Sequence, residues 1–240
     1  MSRKTHRLGF IVPAINVVAE DDFIELAAAD VGVHFARADV DTSREIAEQF
    51  QQMVDAAPDL AASLVKAGVA VTAFACTSAS FFRGSGSDKA IADAIAARTG
   101  IPAVTTATAV TEALRTLGAR RIAIATPYLS WVYEAERDFF VAAGFEVLAV
   151  NGLERRGGAD INTIGDHQIR ALVADVDGPE VDTLFVSCTD LPALALVDEL
   201  ERTHGKPVVT SNQATYWASA RIAGLAPVAG HGRLLRDHLG

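Results

Sequence analysis

Val71-Thr72-Ala73-Phe74-Ala75-Cys76-Thr77-Ser78-Ala79-Ser80 is an apolar run that ends in a cysteine, two hydroxyl residues and small side chains. A run of this length and composition reads as a buried strand that delivers a thiol to its carboxyl end. A second stretch far downstream has the same form: Val181-Asp182-Thr183-Leu184-Phe185-Val186-Ser187-Cys188-Thr189-Asp190. Cys76 and Cys188 are the only two cysteines of the 240-residue chain, and threonine follows each.

Outward from these stretches, strand and helix patterns alternate. Leu8-Gly9-Phe10-Ile11-Val12 reads as a short strand stopped by Pro13, with the polar Asn16 beyond it and a helical stretch through Phe23, Ile24 and Leu26. Gly32-Val33-His34-Phe35-Ala36 is a second strand. Thr42 and Glu45 have capping-box spacing ahead of a helix carrying Ile46, Phe50, Met53 and Val54. Pro58 predicts that this helix ends or kinks, with a second one running on to Gly68. Further strands fall at Pro102-Ala103-Val104, Arg121 to Tyr128, Phe145-Glu146-Val147-Leu148 and Lys206-Pro207-Val208-Val209. Thr105-Thr106 start one helix, and Thr210-Ser211-Asn212 cap another, read as the last. Pro192 fits the first turn of the helix that closes at Gly205. This alternation predicts a parallel, doubly wound α/β architecture with helices on both faces and a ligand at the carboxyl ends of the strands.

The chain also matches itself. RLGFIVPAIN aligns with RIAIATPYLS, the two cysteine strands align, and GIPAVTTATA aligns with GKPVVTSNQA, so that Pro13 pairs with Pro127, Cys76 with Cys188 and Pro102 with Pro207. Three blocks in the same order imply two copies of one unit. The expected organisation is two similar doubly wound parallel-sheet units related by a pseudo-two-fold axis, with the active site in the cleft between them. Residues 1–104 plus 212–240 would form the first unit and residues 105–211 the second.

Composition narrows the function. Half of the residues are hydrophobic and 21% are charged, as in ordinary globular domains. No apolar run approaches the ~20 residues of a membrane span, and the N-terminus has no signal-peptide pattern, so a cytoplasmic protein is expected. A net charge of -9 without a basic cluster argues against nucleic acid and anionic membranes as partners. It also means that an anionic substrate must be held by local donors. Two cysteines without CxxC spacing, and histidines without HxxH or HExxH, give no metal site. G-x-S-x-G is missing, which excludes a nucleophile-elbow hydrolase. Free cysteines are often simply buried. A thiol at a strand's end, before a hydroxyl and a helix start, points instead to chemistry, since a helix N-terminus lowers a thiol's pKa. Arg155-Arg156, in the loop before Asn162, reads as a solvated pair, with contact to a carboxylate as the alternative, and Tyr128, after the Pro127 turn at a strand's end, reads as a site residue.

The blocks Val12-Pro13 with Asn16, Ala75-Cys76-Thr77-Ser78, Ala125-Thr126-Pro127-Tyr128, Ser187-Cys188-Thr189-Asp190-Leu191-Pro192 and Thr210-Ser211-Asn212-Gln213-Ala214 resemble the maleate cis-trans isomerase and arylmalonate decarboxylase branch of the aspartate/glutamate racemase superfamily. The resemblance implies a cofactor-independent isomerase of a small unsaturated dicarboxylate, maleate to fumarate. In it the position of Cys76 adds to the alkene as a thioether and that of Cys188 exchanges the proton on the opposite face. It implies carboxylate binding by Asn16, Tyr128 and Asn162, with main-chain and hydroxyl donors from Thr77, Ser78 and Thr189. No metal or organic cofactor is required, and a homodimer is implied.

The decarboxylase has glycine where this chain has Cys76. The amino-acid racemases typically have Cys-Thr-His or Cys-Thr-Glu where this chain has Cys188-Thr189-Asp190. Ala14-Ile15 replaces the small polar pair expected in a maleate isomerase, which makes the pocket more apolar there. Alternatives are a two-cysteine racemase of an acidic amino acid or related carbon acid, an arylmalonate-type decarboxylase, an ectoine-utilisation protein, or a non-catalytic binder.

Overall fold

The computed structural model describes residues 4–226 and 230–238. The chain begins with β1 (His6–Pro13), α1 (Val18–Leu26), β2 (Val31–Ala38), α2 (Ile46–Val65) and β3 (Val71–Phe74). The short α3 (Thr77–Phe81), α4 (Ser87–Thr99), β4 (Ala103–Thr105) and α5 (Thr106–Thr116) complete the first half. The second half repeats the plan with β5 (Arg121–Thr126), α6 (Ser130–Ala142), β6 (Glu146–Gly152), α7 (Ala159–Asn162), α8 (Asp166–Val176) and β7 (Thr183–Val186). It continues through a 3-10 turn (Leu194–Leu196), α9 (Val197–His204), β8 (Val208–Thr210) and α10 (Ser211–Ile222), and α11 (Gly232–His238) follows.

The strands form two four-stranded sheets, ordered β2-β1-β3-β4 and β6-β5-β7-β8, and every pairing is parallel. The identical order realises the repeat seen in the sequence. Each sheet reverses its direction of winding between its two central strands, β1/β3 and β5/β7. That reversal opens a crevice at their carboxyl ends, where open α/β sheets place their ligands.

Side-chain alternation explains how each sheet is covered. Along β1, Leu8, Phe10 and Val12 enter the larger core shared by both halves, whereas Ile11 points to the other face, against Met53, Ala57 and Leu64 of α2. Gly9 lies beneath α2, where a Cβ would come within 3.2 Å of Val69 and 3.3 Å of Leu64. The halves meet largely through α5 and α10, the helices that follow equivalent edge strands. Thr105 caps α5 by accepting from the Thr108 N–H, and Thr210 caps α10 by accepting from the Gln213 N–H. Across the seam, the Thr106 and Thr215 hydroxyls hydrogen-bond at 2.9 Å.

Four local expectations are corrected. α2 runs unbroken through Pro58, because Met53, Ala57, Ala61 and Leu64 form one buried stripe on both sides of it and packing outweighs the lost hydrogen bond. The Thr42–Glu45 capping box does not form. Asp41 instead takes the Ser43 N–H and hydroxyl and the Arg44 guanidinium, making a turn of its own, and Glu45 precedes α2 with no side-chain cap. Pro192 lies ahead of the 3-10 turn that leads into α9, outside the helix. Finally, α10 is followed by α11, whose His238 carbonyl accepts from Trp217 Nε1 at 2.9 Å.

Removing the proline tests the packing argument. Pro58→Ala should raise unfolding stability by about 1–3 kcal/mol, since proline inside a helix costs up to about 3 kcal/mol relative to alanine, with urea denaturation as the measurement. A loss of stability would show that the proline ring itself is needed by the stripe.

Candidate active site

The crevice is lined at its base by Cys76 and Cys188, from opposite halves. Each thiol follows a central strand, as do two of its neighbours. Asn16 comes after β1, Cys76 after β3, Tyr128 after β5 and Cys188 after β7. Asn16, Ser78, Tyr128 and Thr189 supply polar groups around the thiols. Ile15, Val40, Ile46, Phe50 and Met53 form an apolar wall, and Arg155, Arg156, Gly157 and Gly158 stand at the cleft as well. The whole depression encloses about 670 Å³ including its open mouth.

The Ser211 hydroxyl joins the two halves of this site. It accepts from the Thr77 hydroxyl at 2.9 Å and from the Cys188 N–H at 3.0 Å. Thr77 is not among the residues that line the cleft, and its hydroxyl ties the segment after Cys76 to Ser211. Asn16 makes a second link, with Nδ2 donating to Thr189 Oγ1 at 3.0 Å and Oδ1 accepting from the Ala19 N–H at 2.9 Å at the start of α1. Asp190 makes a third, accepting from the Val17 and Val18 N–H groups at 3.0 and 3.3 Å. Asn162 donates to the same carboxylate at 3.4 Å, which turns its side chain toward Asp190 and leaves it outside the lining residues. Arg37 of β2 tightens the loop before α1 by donating to the Ala14 and Asn16 carbonyls, each at 2.9 Å.

The two cysteines have unequal backbones. Cys76 is extended, at φ -143° and ψ 109°, and precedes α3. Cys188 has φ 101°, in the region that side-chain-bearing residues rarely adopt. Its N–H bond to Ser211 and the Asp190 N–H lying 3.4 Å from its sulfur hold it there. Strain of this kind typically costs about 1–3 kcal/mol and persists where the surroundings enforce it.

Burial dominates the electrostatics. It pushes the Cys76 thiol up to about 11 and the Cys188 thiol up to about 12. The expected lowering by a helix start is overridden, because α3 has a single short turn and the enclosed site disfavours a thiolate. Burial likewise raises the Asp190 carboxyl, against the hydrogen bonds from Val17, Val18 and Asn162. Behind Cys188, Glu136 is fully enclosed, accepts a hydrogen bond from the Ser187 hydroxyl, and is pushed by burial to about 8.

Sequence reasoning gave no role to two members of this arrangement: Asp190 was visible only as the residue after Thr189, and Glu136 carries no motif. Arg155 and Arg156 stand at the cleft with Arg156 exposed and the Arg155 side chain 38% exposed. Among the described residues there is no group of three or more His, Cys, Asp or Glu placed to hold a metal, and no helix is long and apolar enough to cross a membrane.

Two parallel sheets of identical order, with a thiol from each at one crevice, define a class of two-domain-like α/β enzymes with paired cysteines. Residues 8–235 match the sequence pattern of the arylmalonate decarboxylase family, and the chain belongs to that family. It is 36% identical to an arylmalonate decarboxylase of Bordetella bronchiseptica over 197 residues, 79% of this chain and 81% of that protein. It is 31% identical to a maleate isomerase of Nocardia farcinica over 96% of both chains. Its fold superposes with TM-score 0.91, at 28% identity and over 97% of this chain and 98% of the other, on a Nocardia farcinica maleate cis-trans isomerase mutant carrying a covalently bound succinylcysteine intermediate.

Two measurements follow from the thiols. Iodoacetamide modification, followed by intact mass, should be slow at neutral pH and climb about tenfold per pH unit toward pH 10, because only the thiolate reacts and both groups titrate at about 11 or above. A rate that levels off below pH 9 would contradict this. Cys188→Gly should be more stable than Cys188→Ala by about 1 kcal/mol in urea, because glycine alone adopts the required φ freely. Equal stabilities would mean that the backbone relaxes when the thiol is removed.

Proposed function

We propose that the protein is a cofactor-independent cis-trans isomerase of a small unsaturated dicarboxylate, converting maleate to fumarate. The observation that carries this reading is the presence of both cysteines in one cleft among hydrogen-bond donors. A thiolate adds reversibly to a polarised alkene and is also a tolerable leaving group.

In this reading Cys76 enters as the thiolate and forms a bond to one alkene carbon. The π electrons move toward the carboxylate on the other carbon, where Asn16, Ser78, Tyr128 and Thr189 can stabilise the developing charge. Cys188 donates its proton to that second carbon, leaving a succinyl thioether and a Cys188 thiolate. The former double bond, now single, rotates. Cys188 then takes a proton back, the carbon–sulfur bond breaks, and fumarate leaves with the Cys76 thiolate restored. The apolar wall limits water that would otherwise compete for the carbanion.

A second reading is decarboxylation of a substituted malonate. The wall of Ile15, Val40, Ile46, Phe50 and Met53 favours it, since such a surface suits an apolar substituent. Cys76 argues for the isomerase.

Incubation with maleate in D2O should give fumarate by proton NMR. Cys188→Ser should lower kcat by about 10²-fold or more, the usual worth of a general acid/base, and Cys76→Ser by at least as much. Undiminished turnover in both variants would eliminate a thiol mechanism, and CO2 release from phenylmalonate without any fumarate from maleate would favour the second reading.

A further inference from the structure

The cleft has an uneven distribution of charge. Its inner part holds neutral donors and one carboxylate, Asp190, already engaged with Val17, Val18 and Asn162. A second substrate carboxylate would be repelled there. Of the described residues that line the cleft, Arg155 and Arg156 are the cationic ones.

These arginines are carried on an anchored loop. The Leu153 N–H donates to the Thr126 carbonyl at 3.2 Å, and the Arg155 N–H donates to the Pro127 carbonyl at 2.8 Å, so the loop is tied to the end of β5 beside Tyr128. Asp160 grips it from the other side, accepting from the Arg156 N–H at 3.0 Å and from Arg155 Nη1 at 3.3 Å. The charges are nevertheless incompletely matched. Arg155 Nε is shielded from solvent and has no acceptor among the described residues. Arg156, which is exposed at the cleft, makes no ion pair among the described residues, and the Arg155 side chain is itself 38% exposed. An enclosed donor without an acceptor is costly, and a carboxylate meets a guanidinium fork with two parallel hydrogen bonds.

We propose that Arg155 and Arg156 recognise the second carboxylate of the substrate, which makes the cleft selective for dianionic over monoanionic acids. The inference builds on the dicarboxylate reading above and holds for either a butenedioate or a malonate. It also answers the constraint set by the net charge of -9: the overall field opposes a dianion, so the cleft requires local cations.

The test is binding, measured without turnover. In a Cys76→Ser background, titration calorimetry compares two dianions, maleate and phenylmalonate, with their monoanionic counterparts, isocrotonate and phenylacetate. Mildly alkaline pH keeps every carboxyl ionised. Arg156→Gln should weaken at least one dianion about 10-fold or more, as expected for a lost charge-assisted hydrogen bond, while changing its monoanion less than about twofold. Arg155→Gln should do the same, and Arg156→Lys should restore part of the affinity. The salt dependence of dianion binding should shrink with each lost charge.

Equal losses for dianion and monoanion, no loss in either variant, or failure of both dianions to bind when the arginines are intact would overturn the proposal. Wild-type protein that binds maleate through these arginines yet forms no fumarate would overturn the isomerase reading and leave this one standing.

Discussion

The site depends on one hydroxyl. Ser211 receives a hydrogen bond from Thr77, the residue after the first thiol, and another from the backbone of the second thiol. Those two segments belong to different sheets, so a single atom fixes both loops to the first turn of α10. Ser211 is fully buried, and neither bond competes with water. Asn16 and Asp190 add two further connections between the halves on the substrate side. A cleft between independent sheets could open or shear. This one is pinned at its floor, where covalent and proton-transfer steps require near-contact geometry.

The same enclosure creates the chemical difficulty of the site. Burial that holds the thiols in place also keeps them protonated, and it raises nearby Asp190 and Glu136 in the same direction. On the isomerase reading, a protonated Cys188 suits the donor role, whereas Cys76 would have to react through its ionised fraction. The donors around it are neutral, which makes their orientation toward the substrate's oxygens more valuable than their charge.

Much of this was legible beforehand for a physical reason. Period and punctuation are local, so Pro13, Pro127 and the two Cys-Thr steps could be read directly as strand ends, and the internal repeat then implied two sheets and a shared cleft. Features that rest on distant partners could not be read this way. Pro58 looked like a helix breaker because the stripe of Met53, Ala57, Ala61 and Leu64 acts only once a sheet lies beneath it. The bond from the Thr77 hydroxyl to Ser211 could not be read either, because its partner lies 134 residues away. The tie of the Arg155-Arg156 loop to the carbonyls of Thr126 and Pro127 was hidden for the same reason, since those carbonyls belong to another element. Burial of Cys76 was weighed only as the rival structural reading, and it raises the thiol's pKa despite the helix start.

The repeat also shows where symmetry must fail. Two matched halves supply two matched thiols, but an addition–elimination reaction needs a nucleophile on one face and a proton carrier on the other. The backbone already separates them: Cys76 is relaxed and leads into a helical turn, whereas Cys188 is held at positive φ by the Ser211 bond. Their surroundings differ too. Tyr128 and Glu136 bear on the Cys188 side, with the Tyr128 phenol and the Cys188 thiol each affecting the other's ionisation. Ser78 stands 3.9 Å from the Cys76 sulfur. In the proposed isomerisation these equivalent atoms would act on opposite faces of a flat substrate, and the residues that break the two-fold would give them different work.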